Sequence, residues 1–169
     1  IFAYSILKVI NDTGIKTQFK WPNDIINNHK KIAGIMSEIF HDNGQMIFIA
    51  GSCGINVNME KNLFAHIKSQ KITSIFNETQ KKQNIIQFRQ KIISALQTIQ
   101  NITADDMKII KTEIENRLYL KNTNINLIND GIKIISGTLL GIDEYGRCII
   151  KNHANNLPQS FISGSIQKL

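Results

Sequence analysis

Between Lys20 and Gly34 the chain gathers polar groups that ordinary packing does not require. They lie in Lys20-Trp21-Pro22-Asn23-Asp24 and, a short turn later, in Lys30-Lys31-Ile32-Ala33-Gly34-Ile35. Ammonium groups, an amide and a carboxylate this close together suit a phosphate-bearing anion held with a divalent metal. Asp24 is a hard oxygen ligand of the kind Mg²⁺ takes singly or in pairs beside substrate phosphate. Its structural alternative is a turn cap after Pro22. Asn23 and, further on, Asn56 each offer donors and an acceptor, as an adenine edge demands. Gly34 stands three residues after Lys31, so strict alternation puts it on the opposite face of a strand. Its bare backbone still admits a ligand at close range, and Gly54 shares that property. Lys20 divides between ligand contact and structural pairing, whereas Trp21 and Pro22 are expected to shape the segment and pack.

The elements that must position these groups follow from periodicity. Residues 1–13 carry Phe2, Ile6, Val9 and Ile10 at helical spacing before the stop at Asn11-Asp12-Thr13-Gly14. Residues 15–20 read as a strand broken at Trp21-Pro22. Asp24–Ile26 and Lys31–Phe40 are extended runs joined by Asn27-Asn28-His29-Lys30, and His41-Asp42-Asn43-Gly44 turns into Gln45–Asn58. The expectation is an antiparallel meander. Residues 60–72 read as irregular or weakly helical. Helices are expected over Asn84–Thr103 and Ala104–Leu120, whose apolar stripes are core faces. A boundary falls near Asn122–Asn124. Beyond it, Ile125–Ile128, Ile132–Ile142, Arg147–Lys151, Gln159–Ile162 and Ser165–Leu169 are short strands suited to a small barrel, with Gly137, Gly141 and Gly164 at its bends.

Composition bounds the class. The 169 residues are 42% hydrophobic and 20% charged, as in a soluble globular protein. No apolar run approaches the roughly 20 residues of a membrane span, so no membrane partner is expected. Cys53 and Cys148 are too few and too isolated for a disulfide framework, and read as reduced thiols of a cytoplasmic protein. The four histidines, His29, His41, His66 and His153, show no metal spacing and fall in predicted turns or irregular segments. The net charge of +7 comes from scattered lysines. It favours anionic partners in general without marking a nucleic-acid face, and stacking aromatics are missing. The apolar start Ile1-Phe2-Ala3-Tyr4, without Met, reads as the interior of a helix and suggests a fragment.

Four collinear motifs resemble those of biotin–protein ligases, in the family's order. Lys20-Trp21-Pro22-Asn23-Asp24 and Lys31-Ile32-Ala33-Gly34-Ile35 match its KWPND and K-[IL]-A-G-[IL] signatures, and Gly54-Ile55-Asn56-Val57-Asn58 matches its GINVN strand end. Thr138–Gly146, with Gly141-Ile142-Asp143, then Phe161 and Gly164, resembles its terminal SH3-like barrel. The resemblance implies an α+β fold: part of a class II aminoacyl-tRNA synthetase-like mixed sheet with helices over residues 1–122, then an SH3-like domain over 123–169.

It also implies the chemistry. Members activate biotin with ATP and Mg²⁺ to biotinyl-5′-AMP, then transfer biotin to one lysine of a biotin carboxyl carrier protein or domain of a carboxylase. The family's role for the lysine before Ile-Ala-Gly falls on Lys31, at the junction of carboxyl and phosphate. Lys31, Gly34, Gly54 and Lys20 become adenylate-binding residues, Asn23, Asp24 and Asn56 ATP-binding residues, and Asp24 the metal ligand. The family's glycine- and arginine-rich adenylate loop and its biotin-ring residues have no counterpart in this sequence, so the fragment alone is expected to be inactive. Ser52 also stands where the family usually has glycine. The competing class is a non-catalytic remnant or scaffold that binds a carboxylase partner; a basic nucleic-acid binder is suggested by charge alone. A homodimer is compatible with the resemblance, and lipoate ligases, lacking the KWPND–barrel pairing, fit less well.

Overall fold

The computed structural model describes residues 1–67 and 71–169. In chain order the elements are α1 (Phe2–Asn11), β1 (Gln18–Lys20), β2 (Asp24–Asn27), β3 (Lys30–Asp42) and β4 (Gln45–Ile55). There follow α2 (Ile75–Thr79), α3 (Ile85–Gln97), α4 (Ala104–Asn116), β5 (Asn124–Asn129), β6 (Ile132–Ile142), β7 (Cys148–Asn152), β8 (Pro158–Phe161) and β9 (Ser165–Lys168). Single 3-10 turns occupy Lys61–Phe64 and Thr98–Asn101. Of the segment 60–72, residues 68–70 lie outside the described residues. The contacts separate into two compact units, Ile1–Thr17 with Asn23–Ile102, and Gln18–Pro22 with Thr103–Leu169.

In the first unit β2, β3 and β4 form the expected antiparallel meander. Its turns are set by residues that tolerate positive φ: Asn28 (47°) and His29 (62°) between β2 and β3, Asn43 (48°) and Gly44 (79°) between β3 and β4. Two successive positive φ values match the right-handed twist of the flanking strands. Helix α1 buries Ile6, Leu7, Val9 and Ile10 and packs with α3, which buries Phe88 and Ile92. From Met36 onward the β3–β4 hairpin becomes an arm with apolar side chains exposed, Met36, Ile47 and Phe48 each by more than half. On one face of the arm Phe40 and Phe48 stack at 4.4 Å.

The second unit is a five-stranded antiparallel sheet in the order β8-β7-β6-β5-β9, with Ile125, Leu139, Ile150 and Ile166 fully buried. β1 belongs to this unit: Phe19 accepts from Tyr119 N–H at 2.8 Å and donates to the Arg117 carbonyl at 2.9 Å. So does α4, which lies upstream of the boundary expected near Asn122–Asn124. Glu115 at its C-terminal end accepts the Ile142 N–H of β6 at 3.3 Å. In the β6–β7 turn, Asp143 accepts the N–H groups of Tyr145 and Arg147, both at 2.9 Å. The buried Trp21 donates its indole N–H to the Gly146 carbonyl in that turn at 3.0 Å.

Two helical expectations are corrected. The run expected over Asn84–Thr103 leaves α-helix at Gln97, because Thr103 starts a new helix with a capping box to Asp106. The helix expected over Ala104–Leu120 ends at Asn116. Helix α2 is an addition, capped by Ser74 accepting the Asn77 N–H; five residues are too few to show a helical period. No helix among the described residues is long and apolar enough to cross a membrane.

Candidate functional site

The first unit brings Asp24, Lys31, Gly34 and Gly54 together by a break in register. Asp24 pairs across β2–β3 with Gly34, and Gly34 pairs across β3–β4 with Gly54. Cross-strand partners share a face, so the carboxylate and both glycines form one row over three strands. Ile25 opposes Ala33 while Ile26 opposes Lys31, which leaves Ile32 as the extra residue of a β-bulge. The bulge adds a step to the alternation and returns Lys31 to the Gly34 face. This corrects the expectation that the two residues point oppositely. The Lys31 ammonium lies 2.6 Å from Asp24 Oδ1, both side chains only partly exposed. A Cβ on Gly34 would stand 3.1 Å from both Lys31 Cε and Nζ, whereas one on Gly54 would meet nothing within 4 Å.

The result is a strip of bare backbone flanked by an ion pair, a surface on which a flat anion can lie against the sheet with an ammonium at its edge. The Lys31 backbone is clamped as well. Its N–H donates to the Lys71 carbonyl at 2.8 Å and its carbonyl accepts the Thr73 N–H at 2.9 Å.

Asn23 is exposed and spends one donor bracing β3, from Nδ2 to the Ile35 carbonyl at 2.9 Å. Asn56 closes the end of β4, its N–H donating to the Ile32 carbonyl at 2.9 Å and its carbonyl accepting from Ile75. Its half-buried side-chain amide makes no hydrogen bond among the described residues. Asn58, in contrast, is committed to structure through two 2.8 Å bonds with Gln83. Lys20 is half-buried on β1, in the second unit. Ser52 is exposed and pairs with Met36, one step beyond Gly54 on the same face. Among the described residues no three His, Cys, Asp or Glu side chains gather as a metal cluster. A cation held at Asp24 would take that carboxylate as one ligand, with phosphate and water able to supply other oxygens, a pattern Mg²⁺ accepts.

Neither cysteine is activated. Burial pushes the Cys53 thiol up, and pushes that of Cys148 up to about 12. A raised pKa leaves the nucleophilic thiolate scarce at neutral pH. With a thiol reagent at pH 8, Cys53 is expected to label slowly in the native state and Cys148 only on unfolding; fast labelling of Cys148 would contradict its packing. The four histidines are exposed.

Sequence comparison matches residues 2–58 to the biotin/lipoate A/B protein ligase family. The bifunctional ligase/repressor BirA of Bacillus subtilis is 38% identical over 63 residues, 37% of this chain and 19% of that protein. The matched stretch is thus under a fifth of that relative's length. Among solved structures, the apo biotin protein ligase of Aquifex aeolicus superposes with a TM-score of 0.82 at 24% identity, covering 99% of this chain and 73% of that one. The same organism's enzyme in complex with biotin and ATP gives a TM-score of 0.79 at 23% identity, covering 99% of this chain and 68% of that one. These likenesses establish an α+β fold of the biotin protein ligase type.

Proposed function

We propose, from the match of residues 2–58 to the biotin/lipoate A/B protein ligase family, that this chain supplies the ATP side of a biotin–protein ligase. The reaction is attack of the biotin carboxylate on the α-phosphate of ATP, with release of pyrophosphate, to form biotinyl-5′-AMP. A lysine of a biotin carboxyl carrier protein or domain then attacks the mixed anhydride, and AMP leaves. The observation that carries the reading is the Lys31 ammonium held beside the Gly34–Gly54 strip by Asp24.

Two anions must meet in the first step, so positioning and charge neutralisation supply most of the catalysis. Lys31 offsets their repulsion and stabilises the charge that develops between carboxyl and phosphate oxygens. Asp24 holds the ammonium in the free site and would be the carboxylate that holds Mg²⁺ beside bound nucleotide. That ion would neutralise the phosphates and the departing pyrophosphate. Asn56 and the uncommitted oxygen of Asn23 are assigned to the adenine edge. Lys20 is assigned to the same anion by the family resemblance alone. The terminal sheet is read as the SH3-like domain, the protein as cytoplasmic, and the isolated 169 residues as inactive.

The test is biotin-dependent exchange of pyrophosphate into ATP by the enzyme that carries this chain. Exchange is expected with biotin and Mg²⁺, and Gly34→Ala should reduce it about tenfold, because the new methyl displaces an ammonium 3.1 Å away. Exchange driven by lipoate and not by biotin would overturn the substrate assignment.

A further inference from the structure

We propose that Glu78 is a positioning residue for Lys31: its carboxylate ties together the two segments that place the ammonium over Gly34. The inference rests on the role assigned to Lys31 above and adds a residue distant from the site motifs.

Lys31 occupies a place where the sheet alone holds it loosely. It comes two residues after a turn with two side-chain-bearing residues at positive φ, and it sits against the bulge that interrupts the β2–β3 ladder. Its backbone is held instead by the segment 71–73, through Lys71 and Thr73. Glu78, at the end of α2, reaches both sides of this arrangement. It accepts from the Thr73 hydroxyl at 2.6 Å, on the segment that bonds the Lys31 backbone. It also accepts from Lys30 Nζ at 3.2 Å and Asn28 Nδ2 at 3.5 Å, on the turn that delivers Lys31. One carboxylate therefore fixes the turn before Lys31 and the strand beside it.

The Thr73 side of the junction is shielded, with Thr73 only 2% exposed and the Glu78 side chain 12% exposed, while Lys30 and Asn28 meet it from the surface. Burial pushes the Glu78 carboxyl upward, but its bonds from Thr73, Lys30 and Asn28 outweigh that and hold it below the usual carboxylate range. It is therefore charged at neutral pH, and the anchor is present where the enzyme works. Displacement of a catalytic group by about 1 Å costs on the order of 100-fold in rate. A modest loosening of this junction is thus visible in catalysis before it is visible in folding.

The experiment uses the complete enzyme and single-turnover formation of biotinyl-adenylate. Glu78→Gln keeps an acceptor for Thr73 and removes the charge that holds Lys30. It is expected to lower the rate about tenfold, with the KM for biotin within about twofold of wild type. Lys30→Met removes one strand of the same anchor and should lower the rate about threefold with the fold intact; this variant serves if Glu78→Gln fails to fold. A double-mutant cycle separates positioning from general support: in a Lys31→Ala background, Glu78→Gln should cause no further loss. Losses that multiply, or wild-type rates for both Glu78→Gln and Lys30→Met beside an impaired Lys31→Ala, overturn the inference and leave the role of Lys31 standing. A wild-type rate for Lys31→Ala itself overturns both.

Discussion

Replacing Lys31 with Met is expected to slow biotinyl-adenylate formation by about 10²–10³-fold, the loss typical when one preorganised charge-stabilising donor is removed. Methionine keeps most of the aliphatic stem, so packing beside Gly34 survives while the charge disappears. The stability cost should be small. The ion pair is partly exposed at both ends, and such pairs contribute about 1 kcal/mol or less. Asp24 Oδ1 is shielded from water and sits against the Lys31 ammonium. Its carboxylate must therefore turn toward water in the variant, which keeps the penalty near the upper end of that range. The diagnostic pattern is a large rate loss with a near-native unfolding midpoint. A matching collapse of both would mean that Lys31 holds the fold and not the reaction.

Gly137→Ala is expected to destabilise the second unit by roughly 3 kcal/mol, at the high end for overpacking. A Cβ there would fall against the Lys151 carbonyl oxygen and 2.5 Å from Ile150 Cγ2. Neither neighbour can yield: the carbonyl belongs to the paired strand β7, and the Ile150 side chain is fully buried. Two other glycines calibrate the effect. At Gly141 the new methyl meets the tip of Glu115 at 3.0 Å, a flexible side chain able to move. At Gly54 it meets nothing within 4 Å, so the change in stability should be under about 0.5 kcal/mol. Urea unfolding of the three variants should rank them Gly137, Gly141, Gly54 in falling cost; equal costs would contradict the sheet geometry.

That Gly54 tolerates a side chain in the free protein bears on function. Folding does not demand glycine there, so the bare backbone is free to take the close approach of the ligand proposed above. The polar cluster around it was legible in the sequence, since Lys31, Asp24, Gly34 and Gly54 lie in short motifs separated by readable turns. Their relative facing was not. Strict alternation separates Lys31 from Gly34, and the bulge reunites them. Its trace in the sequence is the adjacent apolar pair Ile32-Ala33, both buried in a strand whose pattern otherwise alternates there.

Other parts of the arrangement have no local trace. The indole of Trp21 finds its acceptor 125 residues away, at Gly146. Glu78 lies 48 residues from Lys30 in the chain, and a helix of five residues carries too little periodicity to announce itself. Where one helix hands over to the next, the Thr103–Asp106 capping box was the available signal, and a continuous apolar stripe masked it.

The most direct measurement is a crystal structure of the protein with biotinyl-5′-adenylate bound. The account predicts the Lys31 ammonium drawn from Asp24 onto the oxygens that join acyl group and phosphate, with the nucleotide's backbone laid along the two bare glycines. An ammonium still seated on the carboxylate and directed to bulk water, with the adenylate elsewhere, would contradict it.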